Sequence, residues 1–143
     1  MTIQRLPHEP LYAVCDDALD DTGYVLALDT STGHVKKATS SDVPFGVNIV
    51  STKNPITNEA ETDVEVSVVP VRSGYIVKVK KEASAISAGD YVAVGSEAGK
   101  VAKMTIDTTD AGTLLDSLKK IVGIALEDAA ADEDTVLVRL VGI

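Results

Sequence analysis

The same β-rich pattern occurs twice along this chain, and the positions that recur are strand residues and turn glycines rather than groups that carry chemistry. The first copy runs Gly23-Tyr24-Val25-Leu26-Ala27-Leu28, turns at Asp29-Thr30-Ser31-Thr32-Gly33 and leaves through His34-Val35-Lys36-Lys37-Ala38-Thr39. The second runs Asp90-Tyr91-Val92-Ala93-Val94, turns at Gly95-Ser96-Glu97-Ala98-Gly99 and leaves through Lys100-Val101-Ala102-Lys103-Met104-Thr105. Tyr24 and Tyr91 stand 67 positions apart and Gly33 and Gly99 stand 66 apart, so one residue of turn length separates the copies. Each half then sets a short apolar strand around a glycine, 44–50 about Gly46 and 121–126 about Gly123, and closes on a Val-rich strand, 63–69 and 134–140. The glycines expected to set structural turns are Gly33, Gly46, Gly89, Gly99 and Gly123. A shared order of four features constrains the fold more than any one of them, because repeated units bury their apolar faces against each other.

A chain of 143 residues is the size of one domain and is expected to bury roughly two-thirds of its unfolded surface. Its apolar residues are mostly Val, Ala, Leu and Ile, with one Phe, four Tyr and no Trp, so the core is thin and β-branched. The predicted organisation is an extended N-terminal arm over 1–11, where Pro7 and Pro10 remove amide donors, followed by a single β domain over 12–143. Its pseudo-repeats span about 23–74 and 90–143. The fold class is mainly β: a compact β-barrel or β-clip built from the two modules, with one short helix near 110–120. Thr109 or Asp110 can cap that helix, which carries Leu114, Leu115, Leu118, Ile121 and Val122, with Lys119 and Lys120 near its C-terminal end, where cations are favourable. It is expected to cover an open end of the sheet. Over 75–80, Ile76, Lys78 and Lys80 share one face and Tyr75, Val77 and Val79 the other, the alternation of a half-buried strand.

A net charge of −9 and a pI near 4.5 oppose nucleic-acid binding, since neutralising phosphates takes clustered Lys and Arg. The runs Lys36-Lys37, Lys78-Lys80-Lys81 and Lys119-Lys120 read as solvated strand or helix ends. One cysteine, Cys15, forbids an intrachain disulfide and reads as a small buried apolar side chain. The acidic run Asp16-Asp17-Ala18-Leu19-Asp20-Asp21 lacks the alternating ligands of a calcium loop, so no metal is assigned. The N-terminus has no apolar leader and no stretch approaches the ~18 apolar residues of a membrane span, which reads as synthesis in a cytoplasm. Neither His8 nor His34 lies in a pattern that supplies a nucleophile and an orienting acid, and no phosphate-cradling motif occurs. The expectation is no enzyme and no cofactor.

One further string of residues carries a resemblance: Ile86-Ser87-Ala88-Gly89-Asp90-Tyr91-Val92, then Gly99-Lys100-Val101, then Val122-Gly123-Ile124-Ala125-Leu126-Glu127, ending in Val136-Leu137-Val138-Arg139-Leu140. This order resembles the capsid decoration, or cement, proteins of tailed bacteriophages and related archaeal viruses. The resemblance covers about 85–143 directly and the first half through the internal repeat. It implies a protein of the virion's outer capsid surface, made in the host cytoplasm, that binds the assembled shell of major capsid protein as a homotrimer. On that implication the arm is the candidate capsid contact, with Ile3 and Leu6 as apolar anchors and Pro7 and Pro10 limiting the entropy lost on docking. The segment between Thr105 and Lys120 is more than a minimal cement barrel needs. Two alternatives stay open: a carbohydrate- or receptor-binding β module, for which aromatic platforms are scarce, and a non-catalytic β-clip domain of a sugar-acid enzyme, which would gather carboxylates about Arg72 or Arg139.

Overall fold

The computed structural model describes residues 11–142, so the arm predicted over 1–11 lies, apart from Leu11, outside the described residues. Along the described chain, β-branched runs between turn residues give β1 (Leu11–Cys15), β2 (Val25–Leu28), β3 (Val35–Lys37), β4 (Pro44–Asn48) and β5 (Val64–Pro70). The second half supplies β6 (Ile76–Lys80), β7 (Tyr91–Val94), β8 (Val101–Lys103), helix α1 (Ala111–Lys119), β9 (Ile121–Ala125) and β10 (Thr135–Leu140). The first five strands close into a barrel in the order β1-β3-β2-β4-β5, through a parallel pairing of Cys15 with Val35. The second sheet runs β6-β10-β9-β7-β8. Going round from β1 through β5, β4 and β2 to β3 gives the same succession, and a parallel bridge between Lys81 and Val101 stands where Cys15 meets Val35.

The pairings fix the repeat residue by residue. Leu26 faces Lys37 as Val92 faces Lys103, and Leu28 faces Val35 as Val94 faces Val101, a constant offset of 66. The same offset takes Tyr12, opposite Ser67, to Lys78, opposite Leu137, so β1 and β6 belong to the repeat as well. The offset rises to 77 at Gly46 and Gly123 because the segment carrying α1 is inserted, and falls to 70 at Pro70 and Leu140 because the loop after β4 is longer than the loop after β9. Tyr91 therefore corresponds to Val25 and Tyr24 to Asp90, one position away from the match of the two tyrosines. A slip of one residue turns a side chain to the other face of a sheet, so the two tyrosines take opposite faces, and Val25, which matches Tyr91, is fully buried where Tyr91 is 51% exposed.

Two of the five glycines are not turn residues. Gly46 and Gly123 lie inside β4 and β9, beside register shifts between Leu26 and Ala27 in one module and Val92 and Ala93 in the other. A Cβ on Gly46 would strike the Val68 Cγ1 and Val69 carbonyl of β5, and one on Gly123 the Arg139 carbonyl and Val138 Cγ1 of β10. These glycines serve close approach of neighbouring strands. Gly33, Gly89 and Gly99 do sit in turns, with φ of 75°, 90° and 77°, the left-handed region that costs a Cβ-bearing residue.

The helix is capped by Asp110, whose carboxylate accepts the Thr113 amide while the Thr113 hydroxyl accepts the Asp110 amide. It ends at Lys119, and Ile121 and Val122 open β9 instead of continuing it. Their β-branched side chains gain more from the sheet, where both are buried, than from a helical turn. No residue of α1 is buried, so it rests on the surface and does not seal the sheet. The barrel interior holds Cys15, Leu19, Tyr24, Leu26, Val35, Val66 and Val68. A larger cluster joins Val25, Ala38 and Val71 of the first module to Val79, Val94, Val122 and Leu140 of the second, making one continuous core across the repeat.

Candidate interaction surface

The acidic run turns out to be structural. Asp16 reaches His34 Nδ1 at 2.7 Å, Asp17 accepts the Lys37 amide at 2.7 Å, Asp20 accepts the Tyr24 hydroxyl at 2.5 Å, and Asp21 pairs with Lys80 Nζ at 2.7 Å. The Lys37 and Lys80 ammonium groups stand 4.4 and 5.8 Å from the Tyr24 ring centroid, within cation–π range. Lys80 belongs to β6 while Asp20, Asp21 and Tyr24 precede or open β2, so this cluster ties the modules together across their shared edge. Burial, and then the Asp20 hydrogen bond, push the Tyr24 hydroxyl up to about 12. The Tyr24 hydroxyl holds the Asp20 carboxyl below its ordinary value, and Lys80 does the same for Asp21.

His34 thus has an orienting acid that its sequence neighbourhood does not reveal. Asp16, His34 and Asp63 bring their ligand atoms within 4.8 Å of one another from the end of β1, the start of β3 and the approach to β5. The three could hold a cation, although the Asp16–His34 hydrogen bond already accounts for two of them. The neighbouring Cys15 is fully buried, and that burial raises its thiol pKa and opposes the thiolate a nucleophile needs. At the position matching Cys15 the second module carries Lys81, 3% exposed, whose ammonium donates to the Glu82, Ala130 and Glu133 carbonyls at 2.9 Å each. Neither Arg72 nor Arg139 forms an ion pair among the described residues. Arg72 lines a shallow cleft with Pro44, Phe45, Pro70 and Val71, and Arg139 lies on the open face of the second sheet between Ile76 and Ile124. Among the described residues no carboxylate pairs with either arginine, as a sugar-acid site would require.

One outward face is apolar. Tyr91, Met104, Ile106, Leu118, Ile121, Val141 and Gly142 line a groove of about 320 Å³ at one end of the second sheet, roofed in part by α1. Ile106 is 51% exposed and Val141 37%. Continuous apolar surface of this kind marks an interaction site. A second exposed apolar group, Ile56, stands at the tip of the loop bridged by Lys53 and Ala60. The contacts expected at Ile3, Leu6, Pro7 and Pro10 lie outside the described residues. Ile106 and Val141 were not singled out from the sequence, and Met104 and Leu118 were named there only as strand and helix residues; the signal that could have joined them is the repeat itself, which shows an apolar face twice but covers it once.

Comparison with known proteins agrees with this architecture. Residues 32–140 match a family described as phage cement protein. No curated protein matches. Among solved structures, the head fiber gp8.5 N base in bacteriophage phi29 superposes with a TM-score of 0.54 at 15% identity, over 94% of this chain and 96% of that one. The capsid of Myoviridae phage XM1 includes a chain with a TM-score of 0.56 at 18% identity, over 98% of this chain and 87% of that one. At these identities the two structures support the fold, and the family match extends over three-quarters of the sequence: this chain belongs to the phage cement protein family.

Proposed function

We propose that this protein binds the outer surface of an assembled phage capsid shell as a homotrimer, contacts the major capsid protein, and stabilises the assembled lattice. The match to the cement family over 32–140 carries this reading. The physical features accord with it: a barrel and a matching sheet that share one core, an Asp21–Lys80 pair that ties the two modules together, and an apolar groove left on the surface. A ligand that binds only the assembled lattice stabilises it by mass action, and several weak contacts on one rigid body reinforce one another through effective concentration. The N-terminal arm, with Ile3 and Leu6, is proposed as one such contact. Co-sedimentation of the purified protein with expanded shells lacking it tests the reading. Saturable binding that weakens at least tenfold when residues 1–10 are removed supports both parts. Unaltered binding removes the arm from the account, and no binding to shells removes the function.

A further inference from the structure

The junction between the modules shows what the exposed groove is shaped to receive. Where β2 and β3 end in the first module, Gly99 from the turn of the second module enters between them: the Val25 amide donates to the Gly99 carbonyl and the Gly99 amide to the Ala38 carbonyl, both at 2.8 Å. Gly99 is buried there against the Tyr24 ring and the Lys37 side chain. Val25 and Ala38 are fully buried, and Val94, which precedes the turn, joins them in the shared core.

By the offset of 66, the same place on the second module is the end of β7 and β8, with Tyr91 for Val25 and Met104 for Ala38. The strand ends are built alike, since the Met104 amide donates to the Tyr91 carbonyl at 2.8 Å as the Ala38 amide does to the Val25 carbonyl at 2.9 Å. Here, among the described residues, no turn enters, and Tyr91 and Met104 instead line the apolar groove. The turn equivalent to that of Gly99 is also free. Gly33 has φ of 75° against 77° for Gly99, but it is exposed and a Cβ on it would meet nothing. Leu28, which matches Val94, is 44% exposed. One molecule therefore carries an unfilled copy of the groove and an unused copy of the turn.

We infer that the turn at 29–33 of a second copy of this chain docks in the groove of the first, with Gly33 between Tyr91 and Met104 and Leu28 against Ile121 and Val141. The contact is head-to-tail, so each copy offers both halves, and such contacts close into rings when the rotation permits. This deepens the trimeric part of the proposed function and rests on it only for the copy number.

The test pairs Thr32→Cys with Lys103→Cys in the full chain, Lys103 being the counterpart of the Lys37 that Gly99 touches. The only native cysteine, Cys15, is buried. Mild oxidation is predicted to join copies covalently, free or on shells, while the control pair Thr32→Cys with Ile56→Cys stays single. The exposed-site variants Tyr91→Glu and Leu28→Glu are each predicted to reduce the mass by light scattering to that of one 14.9 kDa chain. Absence of the cross-link both free and on shells, or assembly unchanged in both glutamate variants, overturns the inference. Shell binding is scored separately: binding without the cross-link leaves the cement reading standing and removes this contact, and the cross-link without shell binding does the reverse.

Discussion

A methyl group added to Gly123 would meet a backbone carbonyl, whereas one added to Gly33 would meet only solvent. The two glycines therefore answer to different physics, close packing in the first and a left-handed backbone in the second. Gly123→Ala must force β9 and β10 apart and is predicted to cost about 1–3 kcal/mol or more, as overpacking does. Gly33→Ala is predicted to cost about 1–2 kcal/mol, the conformational penalty alone. Urea denaturation of the two variants and of Gly46→Ala, which should resemble Gly123→Ala, checks the ordering. The Tyr24 cluster makes a pH prediction. Asp20 and Asp21 titrate lower in the folded chain than in the unfolded one, so their contribution is present above the ordinary aspartate value of 3.8 and is lost as pH falls below it. Tyr24 titrates higher when folded, so its contribution is intact below 10 and is lost as pH rises from there towards 12. Tyr24→Phe is predicted to abolish the alkaline loss and to flatten the Asp20 part of the acid loss, read from thermal melts across pH.

At the scale of elements, the strands and both hairpin turns were legible because alternation and glycine placement are local signals. The helix was legible too, with its cap narrowed to Thr109 or Asp110, of which Asp110 serves. Its end was not, because Ile121 and Val122 fit the helical period as well as the strand, and only pairing with β7 and β10 decides. The repeat was visible, but its register was off by one at Tyr24: two tyrosines align more readily by eye than a tyrosine with a valine, and no local feature reports which face a residue takes. The groove and the convergence of Asp16, His34 and Asp63 were illegible for the same reason, since strands far apart in sequence assemble them. Lys81 read as part of a solvated basic run. It is instead a buried cation on three carbonyls, and Lys81→Met is predicted to destabilise the fold by about 1–3 kcal/mol by leaving those acceptors unpaired. No residue of helix α1 is fully buried, so Asp110→Ala should speed hydrogen exchange of the α1 amides about fivefold, the effect of a cap worth ~1 kcal/mol, while the urea midpoint of the whole chain stays put.

The whole molecule is a closed barrel and a second sheet of matching strand order sharing one core, and its stability should be indivisible. Because Val25 and Ala38 pack in the same cluster as Val94 and Val122, a cavity in either module is predicted to weaken both. Leu26→Ala, deep in the first barrel, should cost about 2–5 kcal/mol and still unfold in one transition seen equally by probes in each half. Such a body suits a protein that reinforces a shell through its surface and has to keep its shape while doing so. The measurement that tests this most directly is calorimetry of expanded shells lacking the protein, with and without saturating purified chain. The melting temperature of the shell is predicted to rise with occupancy until the sites are filled. A shell transition that stays where it was, with the protein melting independently beside it, would contradict the account.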